Sequence, residues 1–228
     1  MKSGKYIVAK EYITVIYLKA LDNRKNTICD RVLSLLQGDN EDIQQENANK
    51  NPNIVSTMRD YMAGEVSKDL SQRYLLPADI FKAHKDGIIH FHDMDYFAMP
   101  IHNCCLINLD DMLQNGTIIS GTTIDKPHTF KTACNIASQI VAQVASSQYG
   151  GQTITASHLS KFIPSTRQYF KEKYPTLTDE QIEDLVESDI TEGVQTLQYQ
   201  IITLQTTNGQ TPFVSVALYL NEAETEDL

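Results

Sequence analysis

The side chains in this sequence best placed to do chemistry are two adjacent thiols, Cys104 and Cys105. They lie in the segment IHNCCLINL, residues 101–109, whose composition predicts a β-strand. Successive side chains of a strand point to opposite faces, so a disulfide between the two thiols is not expected. One face carries Ile101, Asn103, Cys105, Ile107 and Leu109, and the other carries His102, Cys104, Leu106 and Asn108.

The two faces differ in polarity, and this difference predicts different roles for the two thiols. The face of Cys105 is mostly apolar and suits packing against helices, whereas the face of Cys104 also holds histidine and asparagine. Such polar groups are costly to bury without polar partners or a ligand. Cys104 is therefore interpreted as functional and Cys105 as structural. The alternative that both are small core residues stays open, because free cysteine is among the most buried residue types.

Two further segments carry residues that could bind ligands. His90 and His92 lie two residues apart, as a metal-binding pair on one strand would, but the sequence supplies no third or fourth ligand. The favoured interpretation is that both histidines lie at the end of a strand with their hydrogen-bonding groups satisfied, and no metal site is predicted. Cys29 and Cys134 fall on apolar helix stripes and are interpreted as packing residues.

The segment DKPHTFK, residues 125–131, places Asp125 and His128 just before a predicted helix. The free N–H groups of a helix start can accept phosphate, and Lys131 and Lys171 could add positive charge. On this pattern alone, an ordinary capped helix is the favoured interpretation.

Charge and composition narrow the classes of partner. The net charge of −10 argues against binding a polyanion such as nucleic acid through a basic face. No apolar run reaches the roughly 18–20 residues of a membrane helix, and the N-terminus has no signal-peptide pattern. The four cysteines show no zinc-binding spacing, and free thiols favour a reducing compartment. The cytoplasm is therefore the expected location.

The elements that must position these residues alternate between helix and strand, which predicts an α/β architecture. Helices are expected over 7–37, from Thr57, after Pro77, over 129–149, over 155–172 with a break at Pro164, and from the capping box Thr178–Gln181 to about Thr206. Strands are expected at 88–92, 101–109 and 213–220, and a polar loop at 38–53. No element follows the last strand to cover it, so the chain is expected to be cut from a longer one.

Five segments occur in an order that is more specific than any one of them: GEVSKDLSQRYLLP, IHFHDMDY, NCCLINLDDMLQNG, ASQIVAQVASSQYGGQTI and NGQTPFVSV. From about Glu46 to Val216 the chain closely resembles the anaerobic (class III) ribonucleoside-triphosphate reductases, glycyl-radical enzymes that make deoxynucleotides without oxygen. The resemblance implies the first half of a ten-stranded α/β barrel with N-terminal helices. Residues 1–56 would form a helical segment and polar loop, and 57–228 the first part of the catalytic barrel, truncated at its C-terminal end.

The resemblance also implies a role for Cys104, which corresponds to a barrel-strand cysteine. In the family, a glycyl radical is passed to a second cysteine, and the resulting thiyl removes the ribose 3′ hydrogen. The residue matching Cys104 then supplies a hydrogen to the sugar as the 2′ hydroxyl leaves as water. An S-adenosylmethionine/iron–sulfur activase makes the radical, and formate or a thioredoxin-type donor is the reductant. His102 and Asn108 are candidate substrate-pocket residues.

Asp125, His128 and Lys171 lie where the family binds a deoxynucleotide or ATP effector at the interface of a homodimer. Family members often have glutamate at the position of Asp125 and lysine at that of His128, so effector affinity is expected to differ here. No direct contact with nucleic acid or membrane is expected.

The function implied is part of a reductase that converts ribonucleoside triphosphates to deoxyribonucleotides for DNA synthesis. The second radical cysteine, the glycyl-radical loop and the terminal zinc-binding cysteines have no counterpart here, so the chain alone is expected to be inactive. The alternative is a non-catalytic nucleotide-sensing or dimerisation fragment, in which both thiols would be silent. A formate-lyase relative is the third interpretation, against which QVASSQYGG and NGQTPF argue.

Overall fold

A computed structural model describes residues 27–37, 53–148, 150–204, 206 and 212–218. These residues form two compact units. The first holds 27–37 and 58–100, and the second holds 53–57 and 101–218. The division at residue 57 drawn from the family resemblance concerns the architecture of a longer protein, and it stays a prediction.

The first unit is helical. Its helices are α1 (Thr27–Gln37), α2 (Val55–Leu70), whose first turn belongs to the second unit, and α3 (Ala78–Lys85); a π-helical turn, Ser71–Leu75, follows α2. Arg31 on α1 pairs with the buried Glu65 of α2, with 2.6 Å between Nε and Oε2. The buried Ser67 hydroxyl donates to the Met94 carbonyl at 2.8 Å and so ties α2 to the loop that follows α3. Of the predicted helix over 7–37, residues 7–26 lie outside the described residues, as does most of the loop over 38–53.

The strand predicted at 88–92 is wrong. Gly87, at a φ of +73°, ends α3 in a left-handed conformation that glycine adopts without strain. The N–H groups of Ile88 and Ile89 both donate to the Ala83 carbonyl, at 2.9 and 3.3 Å. Because the helix end takes these two donors, they are not available to a β-ladder, and the segment continues as turns. The backbone hydrogen bonds of Ile88 and Ile89 therefore belong to the end of a helix.

The second unit combines helices with a parallel sheet. Its strands are β1 (Cys105–Leu106), β2 (Thr117–Ile119), β3 (Thr122–Ile124), β4 (Gln152–Thr155) and β5 (Val214–Ala217). Its helices are α4 (Leu109–Gln114), α5 (Phe130–Ala145), α6 (Ala156–Ser160), α7 (Ile163–Lys173) and α8 (Asp179–Thr203). β1, β4 and β5 form a three-stranded parallel sheet in that order, and β2 and β3 form a separate antiparallel hairpin.

The core of the second unit is built around α5. Its buried face consists largely of small and branched residues, among them Ala133, Cys134, Ala137 and Val141, all fully buried. Small residues allow close approach of neighbouring elements. Gly193 on α8 also lies close to α5, because a Cβ on Gly193 would come within 2.8 Å of Phe130 Cδ1. The core therefore needs short side chains where α5 meets α8.

Helix ends in this unit follow the sequence signals closely. The predicted break at Pro164 is confirmed: α6 ends at Ser160, and Pro164 lies in the first turn of α7, where its missing N–H is tolerated. The capping box of Thr178 and Gln181 is confirmed at the start of α8. The architecture is a mixed helix-and-sheet one, compatible with the α/β class. Among the described residues, no helix combines the length and the apolar character needed to cross a membrane.

Candidate functional site

The segment that carries the two thiols is held as a parallel edge strand against β4. The Cys105 N–H donates to the Gly151 carbonyl at 3.1 Å, and the Ile107 N–H donates to the Thr153 carbonyl at 2.9 Å. An isolated parallel bridge joins His102 to Gln148 upstream. The strand predicted over 101–109 is therefore shorter than expected, since only Cys105–Leu106 forms regular ladder. From Cys104 to Ile107 the side chains nevertheless alternate between exposed and inward positions.

Among the residues that the structure describes, helices cover one side of this sheet and leave the other side exposed. Ile107 is buried and Cys105 is half-buried against the core, as expected for the apolar face. On the other side, Cys104 is exposed and Leu106 is 83% exposed. Leu106 is in register with Thr153 of β4, which in turn pairs with Ser215 of β5. We call the side that presents Cys104, Leu106, Thr153 and Ser215 the open face.

Each thiol donates to a different amide oxygen. Cys104 Sγ lies 3.3 Å from Asn103 Oδ1, and Cys105 Sγ lies 3.4 Å from Gln148 Oε1. Gln148 is fully buried, and its Nε2 donates to the Gly151 carbonyl at 2.6 Å. Burial, and secondarily the neighbouring Cys104, raise the pKa of the Cys105 thiol. Cys105 is thus fixed within the protein, whereas the thiol of Cys104 stays at the surface.

Three residues around the thiols were not singled out from the sequence: Asn103, Gln148 and Gly150. Gly150 donates its N–H to the Asn103 carbonyl at 2.8 Å, and a Cβ on Gly150 would overlap both the carbonyl oxygen and Oδ1 of Asn103. The doublet Gly150–Gly151 signals a close backbone approach. The residue that approaches Gly150 is Asn103, which lies 47 positions earlier in the chain, so the contact is apparent only from the fold.

The two candidate substrate-pocket residues, His102 and Asn108, are both exposed. The His102 N–H donates to the Ser147 carbonyl at 3.3 Å. The Asn108 side chain caps α4, because its Oδ1 accepts from the Asp111 N–H at 3.4 Å. One polar atom of Asn108 therefore has a structural use, and a substrate-binding role for either residue stays a prediction.

The start of α5 is occupied by protein acceptors. The N–H of Phe130 donates to the buried Thr166 hydroxyl at 2.7 Å, and the N–H of Lys131 donates to Asp189 Oδ2 at 2.9 Å. The Thr129 hydroxyl accepts from the Thr132 N–H at 3.2 Å. These bonds make α5 the ordinary capped helix that the sequence pattern favoured. Its backbone does not offer free donors to a phosphate.

The three predicted effector residues are exposed: Asp125, His128 and Lys171. Lys171 forms an ion pair with Asp179 at the first position of α8, with 2.9 Å between Nζ and Oδ1. This lysine holds the pKa of Asp179 below its ordinary value, first through the hydrogen bond and then through its charge. Lys131, which the sequence offered as a further cation, pairs with Glu192 at 2.5 Å. Both lysines therefore already have a carboxylate partner.

The histidine pair is close but not a complete metal site. His90 Nε2 and His92 Nδ1 lie 3.4 Å apart, and His92 Nε2 lies 3.2 Å from Asp93 Oδ1. Within the described part of the chain, no group of three or more histidine, cysteine, aspartate or glutamate side chains is arranged to hold a metal ion. The geometry is that of neighbouring rings in a turn.

The packing roles predicted for the other two cysteines differ in degree. Cys134 is fully buried in the core of the second unit, and burial raises the pKa of its thiol to about 12. Cys29 is half-buried on α1. All four cysteines are free thiols, and Cys104 is the exposed one.

Comparison with known proteins identifies the family. A family model described as anaerobic ribonucleoside-triphosphate reductase matches residues 46–228. Reductases of that name are similar to this chain: the one from Enterobacteria phage T4 is 39% identical over 83% of this chain, and the one from Salmonella typhimurium is 36% identical over 94% of it. The reductase from Haemophilus influenzae is 35% identical over 91%.

These matches cover 32%, 32% and 31% of the relatives, so the chain spans about a third of their length. The family model nevertheless covers most of this chain, including both thiols and the whole parallel sheet. The chain belongs to the anaerobic ribonucleoside-triphosphate reductase family.

Proposed function

We propose that the protein containing this chain reduces ribonucleoside triphosphates to deoxyribonucleotides by radical chemistry, for DNA synthesis. Family membership supports the reaction. The observation that carries the assignment to a particular residue is the exposure of Cys104 on the open face, while Cys105 packs against the core. The three parallel strands would be part of a ten-stranded α/β barrel whose interior the open face lines.

Cys104 would act as the hydrogen donor to the sugar. Its S–H group donates to the neutral amide oxygen of Asn103, with 3.3 Å between sulfur and oxygen. A nucleophilic cysteine instead sits beside a cation or a helix N-terminus, which favour the thiolate. As the 2′ hydroxyl leaves as water, the S–H bond would break and a C–H bond would form on the sugar. A reductant, formate or a thioredoxin-type dithiol, would then restore the thiol.

A glycyl radical, generated by an S-adenosylmethionine/iron–sulfur activase, would supply the one-electron chemistry that starts the reaction. One observation fits this radical chemistry. Cys104 provides an accessible thiol, and among the described residues it belongs to no disulfide and to no group arranged to hold a metal ion. His102 and Asn108 would contact the substrate from the rim of the open face. The enzyme would act in the cytoplasm as a homodimer.

Effector binding at Asp125, His128 and Lys171 would regulate the enzyme. Because the first N–H groups of α5 are already bonded, a nucleotide phosphate would have to be met by side chains. Lys171 would exchange Asp179 for the phosphate, and His128 would contribute charge only when protonated. This arrangement predicts weak effector binding compared with a site that has two free lysines.

The proposed reaction is tested with the complete reductase that contains this chain, under anaerobic conditions with its activase, a ribonucleoside triphosphate and either formate or a thioredoxin system. Deoxyribonucleotide formation that depends on the activase supports the proposal. Effector binding without any activase-dependent product contradicts it and favours the nucleotide-sensing alternative.

A further inference from the structure

The orientation of the Cys104 thiol is not fixed by the backbone, because a cysteine side chain on an exposed strand edge can adopt more than one χ1 rotamer. A hydrogen donor must nevertheless point its S–H bond at the acceptor carbon when the substrate is bound. The contacts around Asn103 provide a means of selecting one orientation. Asn103 is adjacent in sequence and its Oδ1 lies 3.3 Å from Cys104 Sγ.

Asn103 is itself held from the other side. The Gly150 N–H donates to the Asn103 carbonyl at 2.8 Å, and the absence of a Cβ on Gly150 leaves the space that Asn103 O and Oδ1 occupy. Strand alternation alone places the Asn103 side chain on the face opposite that of Cys104. Its carboxamide still reaches the thiol, because the strand is irregular before Cys105 and Asn103 lies in a bend.

We infer that Asn103 is a positioning residue for Cys104: its carboxamide oxygen accepts the S–H bond and orients it, and the close approach of Gly150 holds that carboxamide in place. The inference rests on the proposed function of Cys104 as a hydrogen donor. It extends that function to two residues which act on the thiol without touching the substrate.

The first test measures the hydrogen bond itself in the 228-residue chain and needs no turnover. The infrared difference spectrum between a parent and its Cys104→Ser variant isolates the S–H stretching band of Cys104. Asn103→Leu removes the acceptor and should move this band to higher frequency, toward the position of a thiol that is bonded only to solvent. Asn103→Asp keeps an oxygen in place and should leave the band at or below the parent frequency. Asn115→Leu, which alters an exposed amide bonded to Asp111, is the matched control and should change nothing.

Gly150→Ala tests the support behind Asn103. Its methyl group would overlap Asn103 O and Oδ1, so the carboxamide must move and the Cys104 band should shift as it does in Asn103→Leu. If this variant fails to fold, Asn103→Leu still decides the question. A Cys104 band at the parent frequency in folded Asn103→Leu overturns the inference.

The second test measures steady-state kinetics of the complete reductase that contains this chain. Loss of one orienting hydrogen bond should lower kcat about 3- to 10-fold in Asn103→Leu. KM should change less than about twofold, since the carboxamide is not proposed to contact substrate. Asn103→Asp should stay closer to the parent than Asn103→Leu. An unchanged kcat in Asn103→Leu, or a loss confined to KM, contradicts a positioning role.

The two tests also separate this inference from the proposed function. If Cys104→Ser retains full turnover, the hydrogen-donor function fails, whatever the infrared band does. If Cys104→Ser is inactive and Asn103→Leu keeps both the parent band and the parent kcat, the function stands and the positioning role of Asn103 fails.

Discussion

On the open face of the sheet, Cys104 and Leu106 are directed toward solvent, and the thiol's described contact is the side chain of its own neighbour. At the start of α5, by contrast, Thr166, Asp189 and Thr129 have taken the backbone donors that an anion would use. Both regions belong to the second unit and both are matched by the same family. The two regions differ in how many of their hydrogen-bonding groups are already bonded to other residues of the chain.

This difference indicates two kinds of site. The open face combines an exposed thiol with exposed apolar surface, a combination typical of a surface that contacts substrate or further protein. The start of α5 is a structural junction, in which bonds from α7 and α8 fix one helix end. Any nucleotide bound there has to compete with existing ion pairs. The catalytic assignment therefore has stronger physical support than the effector assignment.

The largest expected effect concerns the reactivity of the thiols. In the native 228-residue chain at pH 8, iodoacetamide should label Cys104 first, Cys105 more slowly and Cys134 at least about 1,000-fold more slowly. Burial raises the pKa of Cys134 to about 12, so its reactive thiolate is scarce, and its side chain is inaccessible. Mass spectrometry of the peptides measures each rate.

Equal labelling of Cys104 and Cys105 would contradict the open-face assignment. Unfolded chain in urea is the control, since the three thiols of Cys104, Cys105 and Cys134 should then react at similar rates. Cys29, which is half-buried, is replaced by serine in every sample so that it does not contribute.

An intermediate effect is expected at the junction of α5 and α7. Thr166→Val removes the acceptor of the buried Phe130 N–H and should lower the free energy of unfolding by about 1–3 kcal/mol. Ser165→Ala is the matched control, because Ser165 is less buried and bonds only within its own helix end. Urea unfolding of both variants measures the difference. Similar losses in the two would show that the junction is not held as described.

The smallest effect tests whether Lys171 can be recruited by a nucleotide. Asp179→Asn frees Lys171 and should tighten deoxynucleoside-triphosphate binding roughly two- to fivefold, while Lys171→Met should weaken it. Because Lys171 lowers the pKa of Asp179, the pair persists above the ordinary aspartate pKa and is lost only as pH falls through the lowered value. The advantage of Asp179→Asn should therefore shrink at strongly acidic pH.

Calorimetric titration of the complete reductase that contains this chain measures these affinities. An affinity unchanged by both substitutions would remove Lys171 from the effector site. It would widen the contrast between the two regions, since the helix start would then have a structural role alone.

The sequence predicted those features that depend on local chemistry. The capping box at Thr178, the break at Pro164 and the alternation that places Cys105 inward and Cys104 outward all follow from neighbouring residues. The membership of a reductase family was also evident from the order of the motifs, and it is confirmed.

Features that depend on distant partners were missed or misassigned. The Gln152–Thr155 strand was not recognised, because four residues of mixed polarity become a strand only when Cys105 and Val214 pair on either side. The hairpin of β2 and β3 was likewise not predicted. Ile88 and Ile89 were assigned to a strand because periodicity does not reveal that a helix end takes their donors. The support of Asn103 by Gly150 likewise appears only in the fold.

The measurement that tests the central claim most directly is the turnover of the complete reductase with serine at one or the other adjacent thiol. Cys104→Ser should lower kcat by at least about 1,000-fold, because serine has no weak S–H bond to donate. Cys105→Ser should stay within about tenfold of the parent, because its side chain packs inward and bonds to Gln148. Equal losses in both variants, or full activity of Cys104→Ser, would contradict the assignment of the chemistry to Cys104.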